Sequence, residues 1–162
     1  MNELKKLVVT EAIRVTRDML ATAEESRKNA IEESRYHKGA MESRYDTFKE
    51  EAQYLMTAQD VRIMELSSTV AVLESFLVRP HISSEKAKIF SLVELEDEAG
   101  HSASYLILPA GGGITCTAQE KKVITINESS PLARALIGKV DGEDVEFDVA
   151  GKQRVFSIIS IS

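Results

Sequence analysis

The stretch YHKGAMESRYD, residues Tyr36–Asp46, interrupts a long helical pattern near its midpoint. It contains Gly39, which is the one glycine among residues 1–79, and those residues contain no proline. Because glycine readily adopts the left-handed conformation that ends a helix, Gly39 predicts a turn between two helices. The sequence therefore predicts a helical hairpin over residues 1–79 with its tip near 36–42.

Each arm of the predicted hairpin has one apolar stripe with the alternating spacing of three and four residues that is typical of a coiled coil. Gln59 and Arg62 interrupt the second stripe, so they either fix its register or the stripe shifts there toward Ile63. One continuous helix that dimerises is the alternative, but the midpoint glycine favours two arms. At the helical rise, the hairpin would project about 50 Å. The stripe positions are Leu4, Val8, Ala12, Val15, Met19, Ala23 and Ala30, and then Met41, Tyr45, Phe48, Ala52, Leu55, Gln59, Arg62, Leu66, Val70, Leu73 and Leu77.

Composition narrows the class of protein. The net charge is −6, which argues against duplex nucleic acid as the principal partner and against sequence-specific DNA binding. The chain begins without the apolar segment of a signal peptide, and no apolar run is long enough to span a membrane. A single cysteine, Cys116, excludes an internal disulfide and is expected to be a small residue in a strand. We expect a cytoplasmic protein without a metal site of its own.

The second half of the chain has a different pattern. All three prolines and seven of the eight glycines lie from Pro80 onward, which predicts a linker over 80–86 and a second domain over 87–162. Its apolar runs predict five strands and an antiparallel sheet, so that the fold class is α+β. The glycine-rich residues 110–114 are expected to connect two strands, and 150–152 to form a hairpin turn. The predicted strands are 89–95, 103–108, 123–126, 145–149 and 155–161.

A short helix is predicted within residues 129–138 by its end signals. Serine at 129 or 130 is a good N-cap, Pro131 suits the first helical position, and Gly138 suits the end. Leu132, Ala135 and Leu136 would face the sheet.

The same helix begins the stretch SPLARALIGKVDGEDVEF, residues 130–147. This stretch resembles the C-terminal domain of the Gre transcript-cleavage factors, whose pattern runs Ser-Pro-Ile/Leu-Ala-Arg-Ala-Leu-Ile-Gly-Lys and then Gly-Asp/Glu-x-Val. The order of a coiled-coil hairpin and a strand-rich domain extends this resemblance over nearly the whole chain.

The resemblance implies a fold and a partner. In the Gre family an FKBP-like C-terminal domain docks on the rim of the secondary channel of bacterial RNA polymerase, and the hairpin enters the channel. By this resemblance we expect polymerase docking near the short helix, at Ser130, Pro131, Arg134 and Lys139. The same residues could instead be purely structural, because the cap, the proline and the glycine all suit helix geometry.

The family also implies chemistry at the tip. An Asp and a Glu three residues later help to hold a magnesium ion shared with the polymerase active site, within a tip that resembles Gly-Asp-Leu-Ser-Glu-Asn-x-Glu-Tyr. When the family's tyrosine is matched to Tyr45, its Glu falls on Met41 and its Asp on Lys38. When its glycine is matched to Gly39 instead, the Asp falls on Ala40 and only Glu42 lies near the Glu. Neither match supplies both acids.

Glu42 and Asp46 are therefore the remaining candidates for catalytic carboxylates, and solvated surface charges are the alternative interpretation of both. The tip composition favours an accessory factor that occupies the channel and modulates RNA polymerase. We expect this factor to be a monomer with no cofactor of its own. Transcript-cleavage stimulation by Glu42 and Asp46 is a second hypothesis, and a generic coiled-coil interaction protein is a third. The residues expected to make tip contacts are His37, Lys38, Gly39, Met41, Glu42 and Arg44.

Overall fold

The computed structural model describes residues 3–36, 42–78, 84–149 and 151–162, and the side chains of 33–36, 42–52, 149 and 152 also lie outside this description. Two long helices are followed by a sheet domain, which confirms the predicted α+β class. Within the described residues the elements are α1 (Glu3–Tyr36), α2 (Glu42–Val78), β1 (Leu92–Asp97), β2 (Ser102–Leu108), β3 (Thr115–Ala118), β4 (Lys121–Asn127), α3 (Pro131–Leu136), β5 (Asp144–Val149) and β6 (Lys152–Ile161).

Helices α1 and α2 pack against each other as antiparallel arms. The predicted stripe of α1 is confirmed, since Val8, Ala12 and Ala23 are buried and its remaining positions are half-buried. On α2 the stripe passes through the half-buried Ile63, whereas Arg62 is exposed. The predicted stripe position at Leu55 is wrong, because its side chain is 60% exposed. The predicted positions Met41, Tyr45, Phe48 and Ala52 lie outside the described side chains.

The sheet has the strand order β3-β4-β2-β1-β6-β5. Four of its pairings are antiparallel, as predicted, but β2 and β4 run parallel. The chain passes from β2 to β3 before it forms β4, and β3 pairs with the edge of β4 that faces away from β2. Strand β4 therefore returns beside β2 in the same direction. Strands β5 and β6 form the predicted hairpin around Gly151, whose N–H donates to Asp148 Oδ1 at 2.7 Å.

Two details of the sheet differ from the sequence prediction. Strand β3 was not among the five predicted strands, although Cys116 was expected to lie in a strand, because β3 is a four-residue edge strand in which only Cys116 and Ala118 are buried. Strand β1 begins at Leu92 rather than at residue 89, because Phe90 has a φ of +68° and cannot continue an extended strand. The Phe90 ring instead stacks on Phe76 of α2, with ring centroids 4.3 Å apart.

The two faces of the sheet pack against different helices. On one face, the base of the hairpin contributes Val8, Val9, Leu73 and other residues to a core that it shares with β1, β2, β3 and β4. On the other face, α3 covers a second core through Ala133 and Leu136. The central strands are therefore buried on both sides, and the sheet domain supports the hairpin.

The predicted tip and the predicted linker fall largely outside the described residues, which omit 37–41 and 79–83. The division into domains at 80–86 stays a prediction. Lys86, at its end, forms an isolated antiparallel bridge with Val140.

Candidate functional site

The tip of the hairpin is the candidate site that the sequence indicates. His37, Lys38, Gly39 and Met41 lie outside the described residues. Helix α2 begins at Glu42 and continues through Arg44 and Asp46, whose side chains are outside the description. The spacing of Glu42 and Asp46 places them one helical turn apart, on one side of α2.

Two ion pairs connect the arms behind the tip. Arg27 Nε donates to Asp60 Oδ1, and nearer the base an Arg17 guanidinium N–H donates to Glu74 Oε1. All four side chains are between 40% and 62% exposed, so each pair contributes little to stability. Their positions match the antiparallel register of the arms.

The base of the hairpin is attached to the sheet by apolar packing and by the half-buried Lys5. Lys5 Nζ donates a hydrogen bond to the Ser162 carbonyl oxygen at 2.9 Å and lies 5.3 Å from the Phe76 ring centroid. Burial, with the nearby charge of Lys88, lowers the pKa of Lys5 to about 8. Cys116 Sγ lies 3.9 Å from the Val8 carbonyl oxygen. These contacts join the base of the hairpin to the sheet.

The glycine-rich connection after β2 approaches α2 closely at Thr69. A Cβ atom at Gly111 would lie 2.3 Å from Oγ1 of Thr69, a residue that is 2% exposed. The predicted strand connection is thus also a support for α2. Sequence reasoning missed this role, because Thr69 and Gly111 are far apart in the chain.

The motif at α3 is confirmed as a capped helix. Ser130 Oγ accepts a hydrogen bond from the Ala133 N–H at 3.2 Å, and Pro131 occupies the first turn. Lys139 Nζ donates to Glu143 Oε1 at 3.0 Å, while the Val140 N–H donates to Glu143 Oε2. The Val140 hydrogen bond, followed by that of Lys139, lowers the pKa of Glu143.

Much of this motif therefore has a structural use. Ser130 caps the helix, Lys139 is paired, and Ala133 and Leu136 are buried against the sheet. Pro131 and Arg134 keep exposed side chains.

Cys116 and His101 are not gathered into a site. Cys116 is buried in β3, as expected, and burial raises its pKa to about 11, with the charge of Glu11 adding to the effect. His101 lies beside Asp97, with Nδ1 3.3 Å from Oδ2. In the part of the chain that the structure describes, no three His, Cys, Asp or Glu side chains form a group that could hold a metal ion. No described helix has the length and apolarity to cross a membrane.

Comparison with known proteins identifies the family. Residues 82–162 match the family model for the C-terminal domain of the GreA/GreB transcription elongation factors. The chain is 33% identical over 135 residues to the transcription elongation factor GreA of Jannaschia sp. (strain CCS1), covering 82% of this chain and 79% of that protein. It is 30% identical over 136 residues to GreA of Xanthomonas axonopodis pv. citri (strain 306), covering 83% and 80%.

A solved structure of the transcription factor Gfh1 is 21% identical, with a TM-score of 0.41 and 93% of each chain covered. The family model alone covers the whole sheet domain, and the GreA relatives extend the match over most of the chain. This chain therefore belongs to the GreA/GreB family of transcription elongation factors.

Proposed function

We propose that this chain binds bacterial RNA polymerase through its secondary channel and modulates transcription without standard transcript cleavage. Family membership supports the partner, and a long hairpin supported on a sheet domain suits insertion into a channel. The protein would act as a monomeric, cytoplasmic accessory factor rather than as an enzyme.

One observation carries the proposal that cleavage is absent. Where the family tip has an Asp and a Glu, the alignment on Tyr45 places Lys38 and Met41 in this chain. Magnesium prefers hard oxygen ligands, so an ammonium group and a thioether do not fit the shared ion. No step of the proposed function therefore passes through a metal held by this protein.

The tip would act through its positive charges and by occupying space in the polymerase channel. Lys38 and Arg44 are cations that would contact acidic groups or phosphates in the polymerase active site, and His37, Gly39, Met41 and Glu42 would fill the space around them. Charge reversal in Lys38→Glu with Arg44→Glu is expected to abolish modulation of RNA synthesis while polymerase binding persists. Unchanged modulation by this double variant would refute the role of the tip charges.

Docking of the sheet domain is proposed near α3. Of the four predicted docking residues, Pro131 and Arg134 have exposed side chains that are available to a partner, whereas Ser130 and Lys139 would support them through the cap and the Glu143 pair. Arg134→Glu is expected to weaken polymerase binding, and the binding constant measures it. Equal binding by this variant would move docking elsewhere on the domain.

A second candidate function retains cleavage stimulation through Glu42 and Asp46. It is favoured by the start of α2 at Glu42, which brings Asp46 onto the same side one turn later. Magnesium-dependent shortening of backtracked RNA that is lost in Glu42→Ala would establish it. A dimeric mass together with no polymerase binding would instead establish the third candidate, a generic coiled-coil protein.

A further inference from the structure

Helix α2 carries two stripes of heptad spacing on opposite faces. The inner stripe, which packs on α1, consists of Met56, Gln59, Ile63, Leu66, Val70, Leu73 and Leu77, all of them buried or half-buried. A second set lies two positions earlier at every step, and two residues correspond to about 200° around a helix. This outer stripe consists of Tyr54, Thr57, Val61, Met64, Ser68, Ala71 and Ser75, and Val78, three residues after Ser75, continues it to the end of the helix.

The outer stripe is uncharged and largely exposed. Tyr54 is 79% exposed, Val61 52%, Met64 71% and Val78 83%. The stripe contains no Asp, Glu, Lys, Arg or His. Charges that flank the stripe are paired within the chain, since Asp60 binds Arg27 and Glu65 lies 3.7 Å from Arg62.

The face of α1 that points away from its own apolar stripe has a different character. It consists of Thr10, Arg14, Arg17, Ala21, Glu25, Lys28 and Glu32, all exposed and mostly charged. A solvent-facing helix ordinarily looks like this face of α1, whereas an uncharged heptad stripe is typical of a helix that packs against a neighbour on that side. The difference between the two arms indicates that α2, and not α1, has a partner along its outer face.

The size of the outer stripe argues against a second copy of this chain as that partner. From Tyr54 to Val78 the stripe is about 36 Å long and about 10 Å wide. Packing along it would bury about 360 Å² on each side, less than half of the roughly 800 Å² per partner of a stable specific complex. A dimer formed through the stripe alone would be weak.

A partner held at another surface needs less area here, because the first contact raises the effective concentration of the second. We propose that the outer stripe of α2 is the face along which the hairpin lies against RNA polymerase, on an uncharged helical surface of the channel wall. This inference rests on the proposed function, in which the sheet domain docks on the same polymerase. The stripe would orient the hairpin about its own axis.

The test compares matched glutamate substitutions on the two outer faces of the hairpin. The dissociation constant for purified bacterial core RNA polymerase is measured for the parent chain, Val61→Glu, Met64→Glu and Ala21→Glu. Glutamate at 61 or 64 is expected to weaken binding about tenfold or more, because its carboxylate loses water without gaining a partner. Ala21→Glu and Met64→Leu are expected to bind as the parent does, and thermal melting confirms that each variant is folded.

Three outcomes would overturn the proposal, and they are distinguishable. If the parent binds and both glutamate variants on α2 bind equally well, the stripe is not a contact, while the proposed function survives. If the parent chain does not bind polymerase at all, both the proposed function and the proposed contact of the stripe with polymerase are refuted. If sedimentation shows a parent dimer that Val61→Glu dissociates, a second copy covers the stripe.

Discussion

At Gly111 the absence of a side chain lets the connection after β2 approach α2. The residue has a φ of +75°, and an added Cβ would lie 2.3 Å from Thr69 Oγ1. Gly113, two residues later, has a similar φ of +73° but no atom within 4 Å of an added Cβ. A substitution at either glycine strains the backbone, but only a substitution at Gly111 also clashes with the hairpin. Comparing the two positions therefore distinguishes the two effects.

Gly111→Ala is expected to lower the free energy of unfolding by about 1–3 kcal/mol more than Gly113→Ala does. Both variants pay for a left-handed backbone, but only the first must move Thr69. Chemical denaturation of the two variants measures the difference. Equal losses would show that the contact between the loop and α2 is not tight.

Cys116 provides a second prediction at this scale. The residue is 3% exposed, and burial raises the pKa of its thiol to about 11, so very little reactive thiolate is present in the folded protein at pH 8. We expect alkylation by iodoacetamide at pH 8 to be much slower in the native protein than in the urea-unfolded chain. Similar rates in both states would contradict the burial of Cys116.

The sequence predicts contacts between residues that are close in the chain, and it does not predict contacts between residues that are far apart in it. The capping of α3 by Ser130 was predictable, because cap, proline and terminating glycine are neighbours in sequence. The contact of Gly111 with Thr69 was not, because it arises only when the hairpin lies on the sheet. The same holds for Lys5, whose partner is the carbonyl of Ser162.

Among the elements, α2 is the one whose pattern was assigned incorrectly in part. The sequence predicted one apolar stripe, and Leu55 was included because it fits the spacing of three and four. The helix has apolar residues on two faces, so periodicity alone could not identify which face packs on α1. The apolar stripe of α1 was predicted correctly, because the other side of that helix is charged and only one face is available for packing.

Matched leucine truncations in α2 test this assignment. Leu73→Ala removes a fully buried side chain from the core shared with the sheet and should lower the free energy of unfolding by about 2–5 kcal/mol. Leu55→Ala removes a side chain that is 60% exposed and should change it by less than about 0.5 kcal/mol. A large loss at Leu55 in urea denaturation would restore the stripe that the sequence predicted.

In the whole molecule, the base of the hairpin and the sheet share one core. Val8, Leu73 and Cys116 belong to it, although they come from α1, α2 and β3. The sequence predicted two units joined by a linker, but it did not predict a contact between them. An apolar stripe shows that a helix face is buried, but it does not show which surface covers that face at the base of the hairpin.

Unfolding is therefore expected to be cooperative across hairpin and sheet. Helical circular dichroism at 222 nm and exposure of the Cys116 thiol should report the same midpoint in urea, because Cys116 lies against the Val8 backbone. Thiol exposure at a clearly lower urea concentration than the loss of ellipticity would mean that the hairpin leaves the sheet before it unfolds.

The central claim is that this member of the GreA/GreB family occupies the polymerase channel without stimulating cleavage. The most direct measurement is the RNA length in stalled, backtracked RNA polymerase complexes incubated with magnesium, with and without this protein. We expect uncut RNA and slowed or altered synthesis, and an authentic GreA added in excess should reverse that effect. Shortened transcripts would contradict the account, because they would require a carboxylate pair that Lys38 and Met41 do not provide.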